Sequence, residues 1–472
     1  MIKPRIFNTL SKKIEEIVPS SSDHIRIYTC GPTVYDSAHI GNLSSYIYAD
    51  TLRRALNAWG FNVDHVMNFT DVDDKTINKS QSLYPDLTPM EALKKTTRKY
   101  EELFRQDFSS VGCDLSSIKF YRATESIEFM QDLISRLCKE KIAYIASDGV
   151  YFSIENYKAK GRKYGQLTNI TAQSTGRQRV NNDEYDKDNI HDFALWKTKK
   201  EGEPYWEFEL ESNKLDGRPG WHIECSAMSE HALGVPFDIH TGGVDLIFPH
   251  HENEIAQSTA AGENTIFAKY FMHNEHMLVD GKKMSKSLKN FFTLSDIKNK
   301  DFDPLAFRLL VLHSHYRSQT NFTWSSLEAS QNRLKTYRAF AALKWQTVKK
   351  QSKGKIDFDK YYYEIKNSLA EDLNTAMALT QFDACVDQTI DSLLDTSEKQ
   401  IFDNFLKQID DIFGLNLSGV KNISLEQKQL IQKREELRAS KKFDDADVIR
   451  KDLLNTGIEI RDTQYGAIWN PV

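Results

Sequence analysis

Apolar and polar positions alternate from Ile25 to Cys30, stop at Gly31-Pro32, and return with helical periodicity from Leu43 to Trp59 before a second strand-like run, Phe61 to Phe69. The two periods separate strand from helix because successive side chains turn by about 180° in one and about 100° in the other. Strand, loop, helix and strand in that order predict a parallel βαβ unit of the doubly wound type, whose ligands sit beyond the strands' carboxyl ends. No GxGxxG accompanies the unit, so an ordinary dinucleotide fold is not expected. Arg98 to Lys141 reads as mostly helical, Ala143 to Ile154 as a hairpin broken at Asp148-Gly149, and the polar stretch Ala172 to Asn189 as a loop. Val235 to His240, closed by Gly242-Gly243, predicts that the parallel sheet resumes after an insertion. Beyond Ser325 strand signals fade and Leu327 to Phe413 is long amphipathic helix. The chain then reads as helix Phe443 to Asn455, a turn at Gly457, strand Ile458 to Arg461 and a final run Gly466 to Trp469.

Composition narrows the class. At about 100–200 residues per domain, a 472-residue chain holds two to four domains, and 40% hydrophobic residues suffice for ordinary cores. A formal charge of −5 excludes a basic nucleic-acid coat while leaving room for one basic face. The longest apolar run, near Phe307 to Leu312, is far short of the ~18 residues of a membrane span. No apolar segment follows Met1 to Leu10, so no secretory signal is expected. The cysteines Cys30, Cys113, Cys138, Cys225 and Cys385 are few, odd in number and scattered, which favours a reducing cytoplasm over a disulfide framework.

Three clusters carry chemistry. In Tyr28-Thr29-Cys30-Gly31-Pro32-Thr33-Val34-Tyr35-Asp36, running to His39-Ile40-Gly41-Asn42, small residues and an imidazole stand where strand passes to helix, a place where backbone approaches a phosphate. In Lys282-Lys283-Met284-Ser285-Lys286-Ser287, lysines alternate with small hydroxyl residues after Asp280-Gly281, as suits a loop that clamps a polyphosphate. Each of these alone is a weak signal, and an ordinary loop or solvated basic turn is the simpler reading. The third cluster is Trp221-His222-Ile223-Glu224-Cys225 with Pro249-His250-His251-Glu252-Asn253-Glu254. His250 and Glu254 are four apart and share a helix face, and with thiolates from Cys30 and Cys225 they would suit a tetrahedral Zn²⁺. Spacing alone does not join cysteines 195 positions apart. His251, rotated about 100° around a helix, is expected off the ligand face, in packing or supporting work.

Taken together, HIGN, KMSKS, GWHIECSAM and FPHHENEIAQS resemble the bacterial cysteinyl-tRNA synthetases, class I enzymes that join cysteine to its tRNA, and the resemblance runs from Ile6 to Trp469. It implies an α/β fold: a class I Rossmann-type core over 1–115 and 220–254, a connective insertion over 116–219 and a KMSKS-bearing segment over 255–325. An all-α helical bundle over 326–418 and a small α/β anticodon-binding unit over 421–472 complete it. It also implies one Zn²⁺ on Cys30, Cys225, His250 and Glu254, and Mg²⁺ accompanying ATP. ATP contacts would be Pro32, Thr33, His39, Gly41, Asn42, Asp245, Lys283 and Lys286, of which His39, Lys283 and Lys286 would be catalytic. Thr70 and Trp221 would flank the amino acid; Arg438, Asp447 and Asp462 would meet the anticodon. Expected partners are L-cysteine, ATP and tRNA(Cys), for a cytoplasmic monomer with no membrane. Two positions depart from the family pattern: Asn42 replaces the last histidine of HIGH, and Lys289 follows KMSKSL where many relatives have glycine. Two rival readings are a cysteine-activating paralogue acting on an amino-sugar acceptor and a catalytically dead tRNA-binding regulator. The tail from Arg434 to Trp469 speaks against the first, the intact motifs and metal residues against the second.

Overall fold

The computed structural model describes residues 2–21, 23–168, 179–180, 192–262, 266–284, 290–347, 356–463 and 466–471. Its centre is a five-stranded sheet of β1 (His24–Thr29), β2 (Asn62–Phe69), β3 (Ile118–Arg122), β4 (Phe237–Gly243) and β5 (Ala268–Asn274). The strands lie in the order β5-β4-β1-β2-β3 and every neighbouring pair is parallel. The chain starts at β1, works outward through β2 to β3, then returns to lay β4 on the other side of β1. That reversal opens a crevice beyond the carboxyl ends of β1 and β4, the position where open α/β sheets bind ligands.

The helix after β1, α1 (Ile40–Ala58), begins three residues earlier than the periodicity predicts, because the His39 side chain caps it by accepting from the Asn42 amide at 3.1 Å. Arg98 to Lys141 is mostly helical, as its sequence predicts, but not without a break. Helix Pro89–Ser110 ends at Val111-Gly112, where Gly112 takes φ 76°, and the short edge strand β3 follows before helix Ile127–Lys139. Five residues leave too little pattern to separate strand from helix, and the glycine was the available signal.

Between β3 and β4 a second, antiparallel sheet sits off the first: Ala143–Ala146, Gly149–Phe152, Asp192–Thr198 and Gly217–Pro219 pair in succession around the fully buried Trp196. The loop expected over 172–189 lies outside the described residues, apart from Arg179–Val180, which pairs with Asp192–Phe193. The region read as one long amphipathic run is four helices, Trp324–Ala342, Phe358–Ala370, Thr375–Ser392 and Lys399–Phe413, packed on Phe340, Phe382, Phe402 and Phe405. A buried ionic cluster fastens these helices to the sheet layer. Asp50 of α1 accepts from Arg53 and Arg308 at 2.8 Å and Arg54 at 2.7 Å, while Arg308 Nε donates to the Phe413 carbonyl at 2.5 Å. The last unit is helices Leu425–Ala439 and Phe443–Asn455 and a hairpin, Ile458–Thr463 with Gly466–Pro471; the second helix passes into the hairpin through a turn at Gly457 (φ 81°), as its sequence predicts. Among the described residues no helix is long and apolar enough to cross a membrane.

Candidate active site

Cys30 is the first residue past β1, and Gly31 follows it so closely against β2 that a Cβ there would lie 1.7 Å from the Asn68 carbonyl oxygen. The Gly31 amide donates to Asn68 Oδ1 at 2.8 Å, which aims the loop across the crevice. Cys225 comes from helix α2 (Trp221–Leu233), His250 and Glu254 from the kinked segment that runs into helix α3 (Glu252–Ala260). Fold topology thus brings together four donors that span 225 residues of chain.

These four ligand atoms all lie within 4.8 Å of one another, and every one of the side chains is buried. The two sulfurs are 3.7 Å apart and both thiols are free. Two sulfurs at about 2.3 Å from one tetrahedral ion would be about 3.8 Å apart, so the pair is spaced for a shared metal. Cys30 Sγ lies 3.5 Å and His250 Nε2 2.8 Å from Glu254 Oε1. The donor set, two sulfurs, an imidazole and a carboxylate, fits Zn²⁺.

Their electrostatics fit too. Burial pushes the Cys30 thiol up, whereas at Cys225 the hydrogen bonds from Cys30 and His250 outweigh burial and bring the thiol down to about 6. Burial would lower His250, but the Glu254 carboxylate and the Cys225 sulfur raise it to about 10. Glu254, despite its burial, is held well below the usual carboxylate range by His240 and His250. Cys225, His250 and Glu254 thus favour their charged forms beside a neutral Cys30 thiol, an arrangement that is compatible with burial only if the charges compensate one another or a cation joins them.

Sequence reading missed the layer of histidines behind these donors. His222 Nδ1 lies 2.9 Å from His250 Nδ1, which leaves Nε2 of His250 facing the site; His240 Nε2 hydrogen-bonds Glu254 Oε2. His251 stacks on His240 at 4.1 Å and approaches Cys30 Sγ at 3.5 Å. His251 lies outside the set of Cys30, Cys225, His250 and Glu254, as the rotation around the helix predicts, and supports it from behind through Cys30 Sγ, with its own Nδ1 2.8 Å from His273 Nε2. With Cys30, His240 and Glu254 it also forms a second close group.

A cavity of about 850 Å³ opens from the metal donors along the crevice. Cys30, Cys225, His250, Thr70 and Trp221 line one end, with Trp221 stacked on His250 at 4.5 Å. His39, Asn42, Asp245 and Phe291 also line the cavity, as do Pro32 and Thr33, which run beside Thr70, whose amide donates to the Pro32 carbonyl at 3.1 Å. Because His39 Nδ1 accepts the Asn42 amide, Nε2 is the nitrogen that carries the proton. Gly41 lies just behind, where an added methyl group would touch both His39 and Met284, so the HIGN and KMSKS segments meet. Lys283 is exposed on the short strand Lys282–Lys283 and does not line the cavity; Lys286 lies outside the described residues.

The predicted anticodon residues sit far along the chain in the last unit. Arg438 is half-buried and Asp447 exposed. Asp462 was read as an acceptor offered to RNA, yet both its oxygens are held by the buried Arg434 at 2.7 and 2.9 Å, with Arg438 at 3.5 Å. In this structure Asp462 pins the hairpin to helix Leu425–Ala439.

The family pattern described as tRNA synthetases class I (C) catalytic domain matches residues 16–332. The chain is 40% identical over 489 residues to the cysteine–tRNA ligase of Leptospira interrogans serovar Lai, covering 99% of each, and 39% identical over 479 residues to that of Chlamydia caviae, covering 98% and 96%. Among solved structures it is similar to Mycobacterium tuberculosis methionyl-tRNA synthetase in complex with methionyl-adenylate, with a TM-score of 0.59 at 10% identity over 84% of this chain and 93% of that one. A LeuRS–tRNA–LeuAMS complex from Agrobacterium radiobacter gives 0.58 at 11%, over 85% and 86%. At such identities these two structures speak for the fold alone.

Proposed function

The chain belongs to the class I cysteine–tRNA ligases, and from that premise we propose how its residues divide the work. The enzyme ligates L-cysteine to tRNA with ATP. The observation that carries the residue assignment is the convergence of Cys30, Cys225, His250 and Glu254 at one end of a cavity whose other end is bordered by His39 and Asp245.

The amino acid's carboxylate, with a free pKa of about 3.5, is already ionised at neutral pH, so its attack on the α-phosphate needs no general base. What the protein contributes is alignment and charge neutralisation. His39, at the N-terminus of α1, donates through Nε2–H to a phosphate oxygen. Asn42 fills the position of the family's second histidine with a side chain that still donates. Pro32, Thr33, Gly41 and Asp245 border the nucleotide; likeness to the family assigns Lys283 and Lys286 of KMSKS to the departing pyrophosphate, with Mg²⁺. A cysteinyl-adenylate results, and a ribose hydroxyl at the tRNA 3′ end then takes the aminoacyl group.

Cysteine and serine differ by one atom, and an apolar pocket separates such pairs by only about 1–3 kcal/mol. A bound Zn²⁺ supplies a soft Lewis acid that favours a thiolate over a hydroxyl. Cys30, Cys225, His250 and Glu254 would hold it, His222 and His240 orient its ligands, and Trp221 closes the amino-acid end. Arg438 and Asp447, on the outer surface of the unit 421–472, are assigned to the anticodon. All five cysteines are unpaired, which suits the cytoplasm, and we take the chain to act as a monomer.

The amino-sugar reading is not favoured, because likeness to cysteine–tRNA ligases extends over 99% of the chain, tail included. Amino-acid-dependent ATP–pyrophosphate exchange tests the assignment: cysteine supports exchange, and serine at equal concentration does so at least about 200-fold less efficiently, beyond what a pocket alone provides.

A further inference from the structure

Thr70 is pinned by two side chains, and the pinning decides what kind of group it offers the cavity. Its hydroxyl donates to Glu224 Oε2 at 2.9 Å and accepts from Asn68 Nδ2 at 3.2 Å. A hydroxyl has one hydrogen and two acceptor lone pairs, so one acceptor position is left at Thr70 Oγ1. Asn68 is fully engaged, since its Oδ1 takes the Gly31 amide at 2.8 Å and faces the Cys225 thiol at 3.6 Å. Glu224 is completely buried in the first turn of α2, between Trp221 and Cys225; those two and Thr70 line the cavity, and Glu224 stands behind them. Its Oε1 is buried without a hydrogen-bond partner among the described residues, so Thr70 is the group it serves.

We propose that Glu224 is a positioning residue for the α-ammonium group of the amino-acid substrate. By engaging the only proton of Thr70, it makes that hydroxyl an acceptor, and only an acceptor, at the amino-acid end of the cavity. The inference rests on the reading that cysteine is that amino acid. An ammonium carries three donors and no acceptor, so it is the substrate group that matches the position left at Thr70. The thiol is directed to Cys30 and Cys225, and the carboxylate, which must react, to the nucleotide end. In this structure Thr70 is the donor and Glu224 Oε2 the acceptor, and that bond fixes the orientation of the hydroxyl. Without it the Thr70 proton is free to turn into the cavity, and a donor would then face a donor.

The test uses the full zinc-loaded chain and two fragments of the substrate as inhibitors of cysteine-dependent pyrophosphate exchange. Cysteamine keeps thiol and ammonium; 3-mercaptopropionate keeps thiol and carboxylate. In Glu224→Leu the KM for cysteine and the Ki of cysteamine rise together by about 10- to 100-fold, the range for losing a hydrogen bond to a charged group. The Ki of 3-mercaptopropionate and the zinc content stay at wild-type values. Glu224→Gln, which keeps an oxygen in place of Oε2, recovers most of both losses. Thr70→Val reproduces the same split, so the proposal stays open to test even if Glu224→Leu does not fold. Equal weakening of both fragments overturns it, because Glu224 would then support α2 or the Cys225 thiol rather than the ammonium. Glu224→Gln as impaired as Glu224→Leu overturns it as well. Failure of the wild-type chain to exchange pyrophosphate with cysteine is a different outcome, which removes the cysteine reading and this proposal with it.

Discussion

Beyond the carboxyl ends of β1 and β4, Cys30, Cys225, His250 and Glu254 are at most 7% exposed and bonded to one another. In the last unit Asp447 is exposed and Arg438 half-buried, and the buried residue there, Arg434, is a strut held by Asp462. One region commits its polar groups to a shared point inside the protein; the other buries one arginine against an exposed carboxylate and leaves Arg438 and Asp447 toward solvent. In the crevice, geometry brings four candidate metal donors together, and buried ionisable groups are tolerated when they compensate one another or share a cation. At the surface, charge and exposure fit RNA but do not choose it, and there the assignment rests on family membership.

The largest effect expected is at the buried end. Cys225→Ala should lose zinc and cysteine activation together, by more than the about 10–100-fold typical of removing an outer partner of a metal ligand. Metal analysis with exchange assays checks this, and a variant that keeps full zinc would break the contrast between the two regions. Asp50 is next. It sits fully buried beside three arginines, which outweigh its burial and hold its carboxyl well below the usual range. Asp50→Asn should cost about 3–5 kcal/mol in urea unfolding at pH 7, as removing one partner of a buried ionic cluster does. Since the folded carboxyl is the stronger acid, its contribution is complete above the unfolded value near pH ~3.9 and fades only as pH falls below it. Wild type should therefore lose stability on acidification beyond that point, and the variant should lack that part of the loss.

Lys286→Ala should lower the rate of adenylate formation by about 10²–10³ with little change in the ATP KM, as for removing a donor that acts on transition-state charge. A KM effect alone would make it a ground-state contact. A truncation sharpens the comparison from the surface side. Leu417 and Ser418 amides are held by Asp410, and the Val420 carbonyl by Trp345, so the cut belongs after Lys421. The shortened chain should still exchange pyrophosphate, yet charge tRNA about 10²-fold less efficiently, the loss of one or two base-edge contacts of about 1–3 kcal/mol each. Unimpaired charging would assign the unit to packing.

The sheet was legible where its pattern was long. β1, α1 and β2 follow from alternation and helical periodicity, and β4 from a strand closed by two glycines. β3 was lost because five residues between helices carry too little period, and the four-helix division was lost because amphipathic helices in series share one pattern. Of the site, the spacing of His250 and Glu254 was readable, while the approach of Cys30 to Cys225 depends on where β4 returns beside β1, which no local pattern encodes. The supporting place of His251 followed from its rotation around the helix, but its approach to Cys30 and His240 again depends on where β1 and β4 lie side by side. The pairing of Asp462 with Arg434 was not legible, because an acidic residue beside a hairpin looks the same in sequence whether or not a buried arginine holds it.

The account turns on the four donors forming one metal centre that receives the substrate sulfur, and X-ray absorption at the zinc edge addresses that directly. It predicts one zinc per chain with two sulfur neighbours at about 2.3 Å, a third sulfur when L-cysteine is added, and no change with L-serine. A centre whose sulfur count stays at two with saturating cysteine would contradict it.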